Sequence, residues 1–287
     1  MVVASCVVLG DALVDEVEVD GQVRRAAGGC ALNVAVTLRR VAEALGSRGR
    51  PDIALVTNLG PDAEGALLRE VLTAAGVTAY VPAEPLPTRV ARAHRRGVDM
   101  TYDFSDAKVR REELTPPVLD AVAGADTVVV STTALADPAE RDVLLATLRR
   151  ARGLRLIDPN PRIPAGGDGS GIRAHLEQLA PRGSLLKVSS DDVRARYPCA
   201  PDAAADRLRG FGADAVLVTR GGAGAAVHSD AGTVEHPGVP LTGRLADTIG
   251  AGDSALAGLV AGLLRSGWPE DLPGWRDVLD LSMTVAA

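Results

Sequence analysis

Toward the end of the chain, Asp247-Thr248-Ile249-Gly250-Ala251-Gly252-Asp253 leads into Ser254 to Leu264, where Leu256, Leu259, Val260, Leu263 and Leu264 recur at helical spacing. Small residues at the start of a helix leave its first backbone N–H groups unpaired and unobstructed, and the helix dipole adds positive potential there. Such a turn is an anion site, suited to the peripheral oxygens of a phosphoryl group in transfer. Asp253 falls in the first turn of that helix and has two readings on these grounds alone. It is either a cap and dipole partner, or a base that takes the proton of a hydroxyl held beside the phosphate.

Other residues carry weaker signals of the same chemistry. Asp15, in Gly10-Asp11-Ala12-Leu13-Val14-Asp15, reads equally as a turn residue and as a carboxylate accepting hydrogen bonds from two adjacent hydroxyls. Asn33 can both donate and accept, and Gly28 and Gly29 let the backbone approach a ligand closely. Thr219, Gly221 and Gly224 alone describe a strand end and a turn, and Arg162 either reaches a phosphate or forms a surface ion pair.

The elements that must position these residues alternate between short β-branched runs and longer helical patterns, the signature of a parallel sheet covered by helices. Strands are expected at Val2 to Leu9, Ile53 to Thr57, Thr127 to Ser131, Leu154 to Asp158, Leu185 to Val188 and Ala215 to Thr219. Their near-continuous apolar character suits burial on both faces. Val34, Leu38, Val41 and Leu45 predict a helix that Gly46 stops. Two excursions break the alternation: a hairpin from about Val14 to Arg25 turning at Asp20-Gly21, and Arg89 to Phe104 around Gly97. They are expected to pair as a small second sheet. Gly166 to Gly171 reads as the loop with the most freedom.

Composition narrows the partners. At 287 residues, with 46% hydrophobic and 24% charged content, the chain can bury a full core. A net charge of -6 and an aromatic content of 2% argue against nucleic acid, since Arg24-Arg25 and Arg95-Arg96 are too short to be more than solvated faces. Cys6, Cys30 and Cys199 match neither a disulfide framework nor a zinc spacing, and no apolar run reaches membrane-spanning length. A cytoplasmic protein with no membrane partner is expected.

Residues 247 to 253 match the D-T-x-G-A-G-D signature of the ribokinase-like (PfkB) family at every fixed position, and Gly28-Gly29-Cys30-Ala31-Leu32-Asn33 resembles its G-G-x-x-x-N. Gly60, Asp62 and Gly65, followed by Gly76-Val77, resemble a further family segment, Asp158-Pro159-Asn160-Pro161-Arg162 is similar to the D-P-N-x-R of fructokinase-type members, and Val218 to Gly224 to the nucleotide loop V-T-x-G-x-x-G. The resemblance implies one doubly wound α/β kinase domain over residues 1–287, with segments of about 14–25 and 89–104 forming a β lid. It implies Asp253 as base and the amides of Gly250, Ala251 and Gly252 as the anion hole. Asp15, Gly28, Gly29 and Asn33 would bind the sugar, and Lys187, Ser189, Thr219, Gly221, Gly224 and Arg162 would bind ATP.

Where many members have K-x-N-x-x-E, this chain has Lys187-Val188-Ser189-Ser190-Asp191-Asp192, so Asp192 is the residue expected to meet Mg²⁺ through water. Asp247 and Thr248 correspond to a monovalent-cation (K⁺) site. The family ordinarily continues past a stretch such as Val285-Ala286-Ala287, and that continuation helps build the adenine pocket and the cation site. The implied activity is ATP-dependent phosphorylation of a primary sugar hydroxyl, on a fructose-like acceptor, with 2-keto-3-deoxygluconate, ribose or a nucleoside as alternatives. A sugar-binding regulatory homologue without turnover is the reading from another class. Unpaired lid edges further suggest a homodimer formed through the lid.

Overall fold

Ser5–Gly10 forms strand β1, and Cys6, Val7, Val8 and Leu9 are all buried within it. A strand apolar on both sides belongs inside a sheet covered on both faces. The computed structural model describes residues 5–19, 22–46, 51–96, 99–104, 115–132, 138–160, 170–194, 197–240 and 250–287. Of the expected calls on fine detail, the strand start at Val2 and the turns at Asp20-Gly21 and Gly97 lie outside these residues.

After β1 the chain makes a hairpin of β2 (Leu13–Val19) and β3 (Gln22–Gly28), then helix α1 (Cys30–Ala44). Gly29 opens α1 at φ 98, and a side chain there would come within 2.4 Å of the Asp11 carbonyl oxygen, so this junction needs glycine. Leu45 caps the helix and Gly46 follows at φ 60, as the expected stop requires. Next come β4 (Asp52–Val56), α2 (Ala63–Ala75), β5 (Thr78–Tyr80), β6 (Arg89–Arg96) and β7 (Asp99–Phe104). Asp62 starts α2 by accepting the Gly65 N–H at 2.7 Å. Its second oxygen accepts the Thr88 N–H at 2.7 Å, tying α2 to the residue before β6.

The rest alternates helix and strand: α3 (Pro116–Gly124), β8 (Thr127–Ser131), α4 (Pro138–Leu148), β9 (Leu154–Asp158), α5 (Ser170–Leu179), β10 (Leu185–Ser189), α6 (Ser190–Arg194), α7 (Pro201–Gly210) and β11 (Ala215–Thr219). A hairpin of β12 (Ala225–Ser229) and β13 (Gly232–His236) precedes α8 (Ala251–Ser266) and α9 (Leu272–Ala286). Most of the glycine-rich stretch 166–171 lies outside the described residues. Ser170 and Gly171 belong to α5, so the end of that stretch is helix where a loop was expected.

The large sheet has the order β13-β12-β11-β10-β9-β8-β1-β4-β5. Pairing is parallel from β5 to β11, while β12 and β13 add antiparallel strands at one edge. Side chains alternate between two cores: Cys6, Val8, Val129, Leu156, Leu185 and Leu217 join the apolar residues of α1, α2, α8 and α9. Val7, Leu9, Val128, Val130, Ile157 and Leu186 join those of α3, α4, α5 and α7 on the opposite face.

The two excursions do form a separate sheet of order β3-β2-β6-β7, with Asp15 opposite Ala26 on one neighbour and Ala91 on the other. Within the described residues no helix is long and apolar enough to cross a membrane.

Candidate active site

Strand order reverses at β1, whose neighbours are β4 on one side and β8 on the other. In open α/β sheets the crevice beyond the carboxyl ends of the strands at such a reversal is where ligands bind. Asp11, Thr132, Asp158, Ser189 and Thr219 all sit at or just past those ends.

Alternation selects what points toward α8. Leu156 and Leu185 lie on the α8 side of the sheet, so Asp158 and Lys187, each two residues further on, share that side. The Lys187 ammonium donates to Asp158 Oδ2 at 2.8 Å, with the two side chains only 8% and 2% exposed. Burial pushes the ammonium down, but the Asp158 carboxylate, with the fields of Asp253 and Asp192 behind it, outweighs burial and holds the pKa above its ordinary value. Asp158 also accepts the Asn160 N–H at 3.2 Å, and Asn160 is held at φ 35.

The ammonium reaches the first turn of α8. A methyl group built on Gly252 would lie 3.3 Å from Lys187 Nζ. Gly250 occupies the N-cap in a left-handed conformation, φ 80 and ψ -5, and as glycine it brings no side chain of its own to the turn. Asp253 lies three residues on, in the first turn. Its carboxylate accepts a hydrogen bond at 2.9 Å from Asn33 Nδ2, a residue 220 positions earlier in the first turn of α1. The glycine turn, Lys187, Asp253 and Asn33 thus converge on one helix terminus.

Asp15 is carried on β2, and a side chain on Gly28 would fall 1.9 Å from its Oδ2, so the carboxylate rests directly on the glycine backbone. Beneath them lies a cluster that sequence reasoning passed over. Buried Asp11 accepts from Thr132 Oγ1 at 2.9 Å, and the Cys30 thiol, 3.8 Å from the same carboxylate, donates to the Ser131 carbonyl at 3.1 Å. Burial and the Asp11 charge push the Cys30 thiol well above the usual range. Asp158 was read only as part of a motif string, and its partnership with Lys187 was also missed. A lysine inside the run Leu185-Leu186-Lys187-Val188 was the available signal, since a charge in a strand buried on both faces requires a counter-charge.

Of the residues expected to bind ATP, Thr219 ends β11 and its Oγ1 lies 3.5 Å from the Val188 carbonyl. Gly221 and Gly224 have φ of 56 and 90, and side chains on Gly221 or Gly222 would meet only open space. Ser189 and Asp192 close on each other: Ser189 Oγ donates to Asp192 Oδ2 at 2.6 Å and accepts the Asp192 N–H at 3.0 Å. This reciprocal pair opens α6 and occupies one oxygen of Asp192. Among the described residues no three His, Cys, Asp or Glu side chains converge as a metal cage. A helix terminus that opens on glycine, a buried ammonium beside it and an open glycine loop fit a nucleotide phosphate chain. Arg162, Asp247 and Thr248 lie outside the described residues.

A family profile described as pfkB family carbohydrate kinase matches residues 2–272. The chain is 30% identical to a fructokinase of Klebsiella pneumoniae, over 98% of this chain and 91% of that protein. The structure superposes on aminoimidazole riboside kinase from Salmonella enterica, solved with aminoimidazole riboside and an ATP analogue, with a TM-score of 0.78, 25% identity and coverage of 99% and 92%. A fructokinase double mutant from Vibrio cholerae O395, solved with fructose, ADP and potassium, shares the fold at a TM-score of 0.76 and 21% identity, with coverage of 97% and 88%.

Proposed function

This chain belongs to the pfkB family of carbohydrate kinases, phosphotransferases with an alcohol group as acceptor, and on that premise we propose that it moves the γ-phosphoryl group of ATP to a primary hydroxyl of a fructose-like sugar. The observation that carries the reading is that Asp253 and Lys187 meet at the same glycine-led terminus of α8. A proton acceptor and an anion site side by side are what transfer to a hydroxyl needs.

In this reading Asp15 and Asn33 orient the sugar, and Asp253 accepts the proton of the attacking hydroxyl while Asn33 holds its carboxylate in place. The amides of Gly250, Ala251 and Gly252, with Lys187, face the charge that builds on the transferred group. Thr219, Gly221 and Gly224 cradle the nucleotide, with Arg162 available to its phosphates. Asp192 would hold Mg²⁺ through water, and the metal would supply charge neutralisation at the phosphates. Asp247 and Thr248 would serve a potassium ion. The four-stranded sheet acts as a lid on a single kinase domain, and its free edges offer a dimer contact. The three unpaired cysteines suit a cytoplasmic location.

Fructose is favoured because the relatives matched over most of the chain carry the name fructokinase. The likeness to a riboside kinase at 25% identity keeps a riboside as the second acceptor. Measuring ADP release with Mg²⁺ against fructose, ribose, 2-keto-3-deoxygluconate and aminoimidazole riboside tests both. Turnover should be greatest with fructose, and release no faster than with water for every compound would overturn the activity.

A further inference from the structure

The segment after Thr219 is nearly bare of side chains, reading Arg220-Gly221-Gly222-Ala223-Gly224. Backbone bonds close it: Arg220 N to Gly224 O at 2.8 Å, Ala223 N to Arg220 O at 3.1 Å and Gly224 N to Gly221 O at 3.0 Å. With three glycines in the turn, little in the segment itself favours this shape over others. One anchor is steric, since a side chain on Gly224 would fall 1.9 Å from the His236 carbonyl oxygen. The other is Arg220. Its guanidinium donates through one nitrogen to Asp202, in the first turn of α7, and through the other to Glu235 on β13 at 3.1 Å. The same Asp202 oxygen lies 3.1 Å from Nε2 of buried His228.

An arginine in a nucleotide loop invites assignment to phosphate, because its fork matches phosphate oxygens. Here both terminal nitrogens are turned onto carboxylates of two other elements, which neutralises the charge a phosphate would seek. We infer that Arg220 is a positioning residue for the nucleotide: it braces the glycine loop between α7 and β13 and does its work without touching phosphate. The inference rests on the kinase reading of that loop. A planar fork reaching two separated carboxylates is also something lysine cannot reproduce.

The alternatives differ in sign for a remote change. Removing the carboxylates with Asp202→Asn and Glu235→Gln keeps a polar side chain of the same size at the half-buried position 202 and the exposed position 235. If Arg220 braces the loop, this double variant weakens ADP; if it binds phosphate, releasing the guanidinium and deleting two negative charges tightens ADP. Calorimetric titration of the full chain with ADP should show about a tenfold weaker Kd for Arg220→Gln and a loss of about threefold or more for the double variant. Arg220→Lys should recover only part of the loss, and fructose binding should be unchanged throughout. Hydrogen exchange at residues 220–224 should quicken in Arg220→Gln without any ligand. An unaltered ADP Kd in Arg220→Gln, a tighter one in the double variant, or unchanged exchange would each overturn the inference while leaving the activity standing. A wild-type chain that binds no ADP would overturn the kinase reading, and this inference with it.

Discussion

Replacing Asp253 by Asn separates proton transfer from packing at a single position. Asparagine keeps the size and polarity that face Asn33, but it cannot accept a proton. General-base catalysis is worth about 10² to 10⁴ in rate, so turnover should fall by that order while sugar affinity and melting stay near wild type. Turnover within a few-fold of wild type would remove Asp253 as base. Gly28→Ala probes the sugar side without deleting a functional group. The new methyl would occupy the space of Asp15 Oδ2, at 1.9 Å, and must push the carboxylate away. Displacing a charged hydrogen-bond partner should raise the sugar KM by about ten- to a hundredfold with the ATP KM unmoved, as in Asp15→Ala. Equal increases for both substrates would count against Asp15 as a sugar ligand. Lys187 gives a pH dependence. Its folded-state pKa lies above the ordinary value of 10.5, so its stabilising contribution is complete below that value and is lost as pH rises through the raised one. The melting temperature of wild type relative to a Lys187→Met, Asp158→Asn double variant should therefore be flat up to about pH 10 and fall above it. A difference that stays flat through about pH 12 would contradict the charged pair.

The position of α8 depends on how closely α9 packs on it. A methyl group on Gly258 would meet Ser282 Cα at 2.8 Å and the Leu281 carbonyl at 3.0 Å, whereas one on Gly262 would meet Val278 atoms at 3.2 Å and beyond. Backbone cannot yield as a side chain can. Gly258→Ala should destabilise by about 1–3 kcal/mol, while Gly262→Ala should come out near neutral because alanine's helix preference, about 1 kcal/mol, offsets the tighter contact. Thermal melts giving the reverse order would refute this packing argument. Element by element, the parts read best from sequence were those with one dominant physical cause. Thr127–Ser131, Leu154–Asp158 and Ala215–Thr219 came out to the residue because their runs are apolar on both faces and end in Gly, Pro or polar positions. The small sheet was visible in the alternation of Val14 to Arg25, but its parallel β2–β6 pairing was not, since local pattern carries no information on partners far apart in sequence. The β12–β13 hairpin went unread although Asp230-Ala231 sits at its turn, and Asp62 and Gly76 are legible as motif positions while the helix α2 between them is not. Asp253 and Asn33 were each named from motifs. Their direct hydrogen bond depends on how α1 packs beside α8, which neither motif contains.

At the scale of the molecule, β3, with its exposed run Gln22 to Ala26, and β7 have no outer partner strand among the described residues and form the two edges of the small sheet. Free edges seek partners, so sedimentation equilibrium should show a dimer that a β3 edge proline, Arg24→Pro, dissociates. A monomer at every concentration would end the lid-contact proposal. The central place of β1 bears on a different process, the order in which the chain can acquire its structure. Residues 5–10 pair with 52–56 on one side but with 127–131 on the other, so during synthesis β1 keeps an open apolar edge until more than a hundred further residues have followed it. Loop closure over such separations makes folding slow, and an apolar edge left waiting is an aggregation site. Refolding from denaturant should accordingly be slow and limited by concentration, and nascent chains stopped between β4 and β8 should be the ones that chaperones hold.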